Sequence, residues 1–264
     1  MHLESMTKST SLNSCASRSR PRDKAIIDLD FDHRLFVPER YEPAYDYPLV
    51  VWLHSDGSCE LELDNVMMAL SSQNYIAIAP RAQQKCRGIG HRFRWGLSNT
   101  DSAAAEDLVW DSVQAVISAM SVDRSKIFLA GFGAGGTMAQ WIGLKYSTQI
   151  AGVVSLSGVF PKTPRSLSNW KQSRDLQVLF GQRQGSTLCG DDELLRAVRI
   201  SHQSSLGYKF FQMRSDEDCC SANDLDSTML DAANRFMMGI VTNTELSLLP
   251  EETCDNECVE FGFN

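Results

Sequence analysis

The feature of this sequence that most constrains the fold is a glycine-rich turn between a strand-like run and a helix-like run. Residues 127–138 read Ile-Phe-Leu-Ala-Gly-Phe-Gly-Ala-Gly-Gly-Thr-Met. Four apolar residues lead into the glycines, and a helical pattern follows them. This order predicts a tight strand–turn–helix unit with Gly133 at its apex. Because Gly133 has no side chain, the apex offers no nucleophilic atom.

Short apolar runs alternate with amphipathic segments along the rest of the chain. Residues 49–53 and 75–79 are continuous apolar runs, which are typical of strands buried on both faces. The spacing of apolar residues further predicts a helix over 191–204, a strand over 207–213 and a last helix over about 225–240. Such alternation predicts an α/β fold with a doubly wound, mostly parallel sheet. The ligand crevice of such a sheet lies at the carboxyl ends of its strands.

The two ends of the chain differ in charge from the middle. At 264 residues the chain has the length of one large domain. Residues 1–24 are basic and rich in serine, whereas residues 241–264 hold six acidic side chains and no Lys or Arg. We therefore predict a disordered basic arm over 1–24, a folded domain over 25–240 and an acidic tail over 241–264.

Composition excludes several classes of protein. The net charge of −8 and the isoelectric point near 5.1 argue against a nucleic-acid binder. Residues 1–22 hold no apolar run long enough for a secretory signal, and no later segment approaches the length of a membrane span. We expect a cytoplasmic protein with no membrane span.

Neither the glycines nor the cysteines predict a cofactor or a metal site. A dinucleotide-binding loop would need a glycine at Met138 and an acidic residue about 20 residues further on, and neither is evident. Cys254 and Cys258 lack the second pair of ligands that a zinc site requires. We therefore expect no cofactor and no metal.

Three segments carry a resemblance to a known family: Pro48–His54, Val122–Phe132 and Ala151–Gly158. In order and spacing they resemble the α/β-hydrolase superfamily. The resemblance is to its small carboxylesterase/phospholipase group, which includes acyl-protein thioesterases and dienelactone-hydrolase-like proteins. It covers roughly residues 25–240 and implies an α/β-hydrolase fold without a large cap domain. It does not indicate a substrate, because this fold hosts many chemistries.

The resemblance also identifies the positions at which the family keeps its catalytic Ser, Asp and His. The family's elbow is Gly-x-Ser-x-Gly, and Gly133 stands at the serine position. The family's acid is the Asp of a Gly-x-x-Asp turn. That turn here ends in Gln184, a residue that cannot stabilise an imidazolium by charge. The base position falls near Asn223, which has no titratable nitrogen, and no histidine follows His202. All three catalytic roles are therefore predicted to be lost.

The loop that would complete an oxyanion hole also departs from the family. The family's His-Gly-x-Gly reads His54-Ser55-Asp56-Gly57 here. The resemblance implies that the backbone N–H groups of Asp56 and Ala134 are the matching donors. A carboxylate at this place disfavours negative charge in a dry pocket, unless it points away.

Four further residues are candidates for the crevice: His54, His91, Cys219 and Cys220. His54 either supports the loop that follows its strand or acts on a nearby nucleophile. His91 lies in the basic loop Lys85–Arg94 and could face the crevice. The basic side chains from Arg81 to Arg94 could bind an anionic ligand or partner. Cys219 and Cys220 could replace the nucleophile only with an activating base, and the acidic residues before them disfavour a thiolate.

The sequence leads to three hypotheses of function, of which one is a scaffold whose basic N-terminal arm and acidic tail bind partners. Another is a pseudoenzyme, that is, a hydrolase-like protein without catalytic activity. It would bind a small acyl or anionic ligand, or a protein partner, in the crevice that corresponds to the family's active site. The alternative to the pseudoenzyme is a weak or unusual serine- or cysteine-dependent hydrolase of esters or thioesters.

Overall fold

The structure is a computed structural model. It describes residues 31–88, 90–96, 98–161, 173–213, 225–244, 247–248 and 258–262. The predicted basic arm over 1–24 lies outside the described residues, as does most of the predicted acidic tail.

The described residues form ten strands and five helices. The strands are β1 (His33–Phe36), β2 (Tyr47–Leu53), β3 (Ile76–Pro80), β4 (Gln84–Lys85), β5 (Phe93–Arg94), β6 (Val122–Phe132), β7 (Gly152–Leu156), β8 (Gln177–Arg183), β9 (Gly207–Met213) and β10 (Cys258–Gly262). The helices are α1 (Glu62–Leu70), α2 (Asn99–Ala119), α3 (Ala134–Lys145), α4 (Asp191–Ser204) and α5 (Ser227–Thr242). None of the helices in this part of the chain is long and apolar enough to cross a membrane.

Eight of the strands form one mixed sheet in the order β1-β3-β2-β6-β7-β8-β9-β10. The two outer strands, β1 and β10, are antiparallel to their neighbours. The six strands between them are parallel, so their carboxyl ends meet at one edge of the sheet. β4 and β5 form a separate hairpin in the connection between β3 and α2.

The central strands send their side chains alternately into two cores. Leu49, Val51 and Leu53 of β2 face a core shared with α2, α3 and α4. Val50 and Trp52 face the opposite core, which is shared with α1 and α5. Every residue of β2 and β3 is buried, which explains their continuous apolar runs. The predicted doubly wound, mostly parallel α/β sheet is confirmed.

Two elements differ from the sequence-based expectation. α4 and β9 have the predicted bounds, and α5 is shifted by two residues. The hairpin of β4 and β5, by contrast, lies in a segment interpreted as a loop, and β10 lies in the predicted acidic tail. β10 pairs with β9 from Cys258↔Met213 to Gly262↔Lys209. The sheet therefore extends beyond the predicted boundary at residue 240, because backbone pairing to an edge strand does not require a local apolar pattern.

Truncation of the chain after residue 257 should destabilise the sheet. Removal of β10 leaves the N–H and C=O groups along one side of β9 unpaired, and such an edge favours association between chains. We expect light scattering to increase and the melting temperature to fall, by about 2–4 °C for each kcal/mol lost. The matched control is truncation after Gly262, which keeps every paired residue of β10. Equal melting temperatures for the two truncations would contradict a structural role of β10.

Candidate functional site

The crevice lies where the order of the sheet reverses. β3 lies on one side of β2, and β6 lies on the other side. β2 and β6 are parallel and end in the register Leu53↔Gly131. Ligands of open α/β sheets bind at such a reversal, between the loops that follow the two strands. Those loops contain Asp56 and Gly133, so the structure brings these two predicted residues to the same edge of the sheet.

Gly133 connects β6 to α3 in a conformation that L-residues rarely adopt, with φ +56° and ψ −121°. Its N–H donates to the carbonyl oxygen of Leu156 at 2.8 Å. Among the described residues, a Cβ on Gly133 would meet only Leu188 Cδ1, at 3.8 Å. The turn therefore retains the backbone and the space of a nucleophile elbow, while the nucleophile is missing.

The flanking glycines are required by contact rather than by conformation. A Cβ on Gly135 would overlap the carbonyl oxygen of Leu53 and lie 2.6 Å from that of His54. A Cβ on Gly131 would lie 2.7 Å from the same Leu53 oxygen. Because such distances are too short for real Cβ atoms, α3 can pack against the end of β2 only with glycine at both positions.

A cavity of about 360 Å³ opens beside Gly133, and we call it the elbow cavity. Its described lining combines apolar and hydroxyl groups with one titratable side chain, that of Asp56, and contains no His, Cys, Lys or Arg. The lining residues are Ser55, Asp56, Phe132, Gly133, Ala134, Thr137, Ser157, Val159 and Leu188. A second cavity of about 460 Å³ shares Ser55 and Phe132 with it and extends between α1 and α5.

A single carboxylate, that of Glu62, holds the loop that follows β2. It accepts hydrogen bonds from the Ser55 N–H at 3.2 and 3.3 Å and from the Ser55 hydroxyl at 2.7 Å. It also accepts the indole N–H of Trp52 at 2.9 Å. Glu62 thus fixes the loop relative to β2, and it uses the Ser55 hydroxyl to do so.

The two residues expected to form the oxyanion hole, Asp56 and Ala134, both line the elbow cavity. Ala134 is the first residue of α3, where backbone N–H groups have no acceptor within the helix. The Asp56 carboxylate accepts the N–H of Trp95 at 3.2 Å. Burial raises the pKa of Asp56, although this hydrogen bond and the charges of His54 and Arg94 oppose the rise. An ionised Asp56 would repel an anion in the cavity.

His54 is fully buried and supports the loop rather than the cavity. Its Nδ1–H donates to the Ser55 carbonyl at 2.8 Å, and its Nε2 accepts the N–H of Ala82 at 3.1 Å. These two partners fix one tautomer of the neutral ring. Burial lowers the pKa of His54, against the hydrogen bond to Ser55 and the nearby carboxylates of Glu62 and Glu60. Since both ring nitrogens are occupied, His54 has no nitrogen with which to activate a nucleophile.

The turn at the expected acid position is part of the scaffold. Gln182 is buried and donates its side-chain N–H to Asp191 at 2.8 Å. Arg183 pairs with Asp226, the N-cap of α5, at 2.7 Å. Gln184 is exposed and lines neither cavity. This turn therefore supplies no acid to the elbow cavity.

The remaining predicted candidates do not meet at the elbow cavity. His91 is exposed and lines neither cavity. Arg81, one of the basic candidates for anion binding, is held by Glu60, with Nε 2.6 Å from the carboxylate, and also pairs with Asp32. Its charge is thus neutralised within the protein instead of being available to an anionic ligand. The candidates outside the described residues are Cys219, Cys220 and Asn223.

The cysteine that follows the cavity residue Leu188 is unsuited to replace the nucleophile. Cys189 is fully buried, and its burial raises the pKa of the thiol to about 12. The carboxylates of Glu193 and Asp191 add to the rise. A thiol in such surroundings stays protonated and unreactive at neutral pH.

The sequence analysis missed two residues of this site, Glu62 and Ser157. Glu62 could have been suspected as an acidic residue in the first turn of a predicted helix. Ser157 gives no stronger signal than a serine at the end of a buried strand. Only the structure shows that Ser157 is 2% exposed and that its φ is +51°.

Alanine at Gly135 should be far more destabilising than alanine at Gly133. The Gly135→Ala variant forces a Cβ into the backbone of β2, so we expect a loss of at least about 3 kcal/mol in the free energy of unfolding. Gly133→Ala adds backbone strain without a clash and should cost about 1–3 kcal/mol. Urea denaturation of both variants checks the order. A Gly135→Ala variant as stable as the wild type would contradict the close approach of α3 to β2.

The neutral state of His54 should make stability depend on pH. The unfolded chain takes up a proton near pH 6.5, about the ordinary pKa of histidine. The folded chain resists this protonation, so its stability falls as the pH drops below that value. The His54→Gln variant should be less stable at pH 7 by about 1–3 kcal/mol. It should also lose less stability than the wild type between pH 7 and 5.5. Parallel pH profiles in denaturant titrations would contradict a buried neutral His54.

Comparison with known proteins agrees with this architecture. The sequence model of the Phospholipase/Carboxylesterase family matches residues 97–195. No curated protein sequence matches the chain. Among solved structures, esterase PE8 has a TM-score of 0.64 at 17% identity, with 80% of this chain and 100% of that chain covered.

Two further solved structures show the same likeness. SOBER1 from Arabidopsis thaliana has a TM-score of 0.62 at 14% identity, with 74% of this chain and 99% of that chain covered. The Bacillus cereus carboxylesterase has a TM-score of 0.60 at 14% identity, with 80% and 95% covered. At these identities the structures show a common fold and no common activity. With the elbow geometry, they show an α/β-hydrolase fold, and residues 97–195 are similar to the Phospholipase/Carboxylesterase family.

Proposed function

We propose that this chain is a catalytically inactive α/β hydrolase that binds a small neutral ligand in the elbow cavity without hydrolysing it. The observation that carries the proposal is Gly133. The backbone of the elbow is in place around it, yet the atom that would attack an ester is absent. The hydrolytic fold is therefore used here for binding.

The surroundings of Gly133 support inactivity. A serine or cysteine nucleophile needs a base within hydrogen-bond reach to take its proton. No histidine is among the described residues that line the elbow cavity. His54 is committed to Ser55 and Ala82, and Gln184 lies outside the cavity. A nucleophile placed here would find no histidine to accept its proton among the described lining residues.

The lining of the elbow cavity supports a neutral ligand. No cationic residue lines it among the described residues, whereas the acidic residue Asp56 does. An anionic ligand would therefore lose its hydration without gaining an opposite charge. Phe132, Val159 and Leu188 supply apolar surface for a short hydrocarbon group.

One observation favours the alternative of an unusual hydrolase. Ser157 lines the elbow cavity, and its hydroxyl oxygen could attack a substrate in place of the missing nucleophile at Gly133. Such a role requires a base that the described lining does not supply, so we rank this candidate second.

The test is ester turnover by the wild type and by Gly133→Ser, with Gly133→Ala as the matched control. The space at Gly133 admits a serine side chain. We expect all three proteins to hydrolyse p-nitrophenyl acetate and butyrate at least about a hundredfold more slowly than ordinary esterases, since general base catalysis is missing.

Two results would contradict the proposal. One is wild-type turnover that persists through purification and disappears in a Ser157→Ala variant, together with labelling of one site by a fluorophosphonate. The other is rapid turnover by Gly133→Ser, which would show that a base does reach the elbow.

A further inference from the structure

Ser157 lies directly beside the empty apex of the elbow. β6 and β7 are parallel and end in the register Phe132↔Leu156. The residues that follow, Gly133 and Ser157, are therefore neighbours across the two strand ends. The hydrogen bond from the Gly133 N–H to the Leu156 carbonyl, 2.8 Å, fixes this arrangement. Ser157 is in turn anchored by its own N–H, which donates to the Gly181 carbonyl at 2.7 Å.

The backbone of Ser157 is strained. Its φ of +51° falls in the left-handed region, which glycine adopts readily and serine adopts only with strain. A glycine does follow, at Gly158, where a Cβ would lie 2.7 Å from the Thr137 nitrogen. Close packing therefore requires glycine at position 158. At position 157, beside the cavity, the chain has a serine with a strained backbone. Strain of this kind concentrates at functional sites.

The Ser157 hydroxyl differs from the other two hydroxyls that line the elbow cavity. Ser55 donates to Glu62 at 2.7 Å. Thr137 donates to the Gly133 carbonyl at 3.3 Å and accepts the N–H of Val159 at 2.9 Å. In the described part of the chain, Ser157 has no hydrogen-bond partner for its hydroxyl, although the residue is only 2% exposed. Since Ser157 lines the elbow cavity, a ligand there could supply the partner that none of the described residues supplies.

We propose that Ser157 is the residue that anchors the ligand of the elbow cavity, and that the ligand is a neutral carboxamide carried by a short apolar group. This inference rests on the proposed function and names the chemistry of that same site. Ser157 donates its hydroxyl hydrogen to the amide oxygen. The free N–H groups at the start of α3, that of Ala134 among them, provide a second donor for the same oxygen.

Asp56 selects the carboxamide over other carbonyl compounds. Asp56 lines the same cavity, and its carboxylate accepts the N–H of Trp95 through one oxygen, which leaves capacity for a further donor. An amide N–H can provide this donor, whereas an ester has none and a carboxylate is repelled. The apolar group of the ligand packs against residues such as Phe132 and Leu188.

The test is a titration of the full chain with butyramide, methyl butyrate and butyrate, followed by ¹H–¹⁵N correlation spectra at pH 7. We expect butyramide to bind with a Kd on the order of millimolar, as its few atoms allow, and to shift the amide signal of Ala134. Methyl butyrate should bind at least about fivefold more weakly and butyrate at least about tenfold more weakly. Asp56→Asn should reduce the discrimination against butyrate.

Two Ser157 variants separate a binding role from a structural one. Ser157→Ala removes the hydroxyl and keeps the strain, whereas Ser157→Gly removes both. We expect each to weaken butyramide binding at least about fivefold, while the melting temperature of Ser157→Gly stays equal to the wild type or rises. Ser118→Ala is the matched control, because Ser118 is an exposed serine on α2 that bonds only to the Gln114 carbonyl of its own helix among the described residues.

The outcomes distinguish this inference from the proposed function. Equal butyramide affinity in the wild type and both Ser157 variants would overturn the role of Ser157 and leave an inactive binding protein. Absence of butyramide binding, or tighter binding of butyrate, would overturn the ligand class. Ester turnover by the wild type would overturn the proposed function itself, whatever the affinity for butyramide.

Discussion

The packing of α3 against the end of β2 is the constraint on which the rest of the site depends. The carbonyl oxygen of Leu53 lies so close to Gly131 and Gly135 that neither can carry a Cβ. This approach determines where α3 begins, and hence where its unpaired N–H groups lie. It also holds Gly133 in register with the end of β7, through the bond to the Leu156 carbonyl. The elbow cavity is therefore a consequence of backbone packing, with side chains added to it.

The backbone conformation of such an elbow can be retained after its catalytic nucleophile has been lost. The side chain of a nucleophile at Gly133 would make almost no buried contact, because a Cβ there meets a single neighbour in the described structure. Glycine at this position also relieves the strain of a positive φ. Folding stability thus favours the loss of the nucleophile, whereas it prohibits any substitution of Gly135. Retention of the turn is consequently evidence for the fold and gives no evidence for hydrolysis.

The sequence predicted those features that depend on local pattern. The bounds of α4 and β9 follow from hydrophobic periodicity, and Gly133, Ala134 and Asp56 meet because loops after adjacent parallel strands share one edge. β10 could not be predicted, because its pairing depends on β9, which is distant in the chain. The roles of His54 and Ser157 could not be predicted either. His54 has partners for both ring nitrogens, whereas Ser157 has none for its hydroxyl among the described residues. Only tertiary contacts decide this.

The lining of the elbow cavity suits an uncharged bound ligand better than the negatively charged transition state of ester hydrolysis. Catalysis requires contacts that strengthen as negative charge develops on the reacting oxygen. An ionised Asp56 opposes such charge, since the residue lines the same cavity as Ala134 at the start of α3. Toward an uncharged ligand the same carboxylate acts only as an acceptor. In our proposal, the residue that makes the cavity poor for ester hydrolysis is therefore the one that selects a neutral ligand with an N–H group.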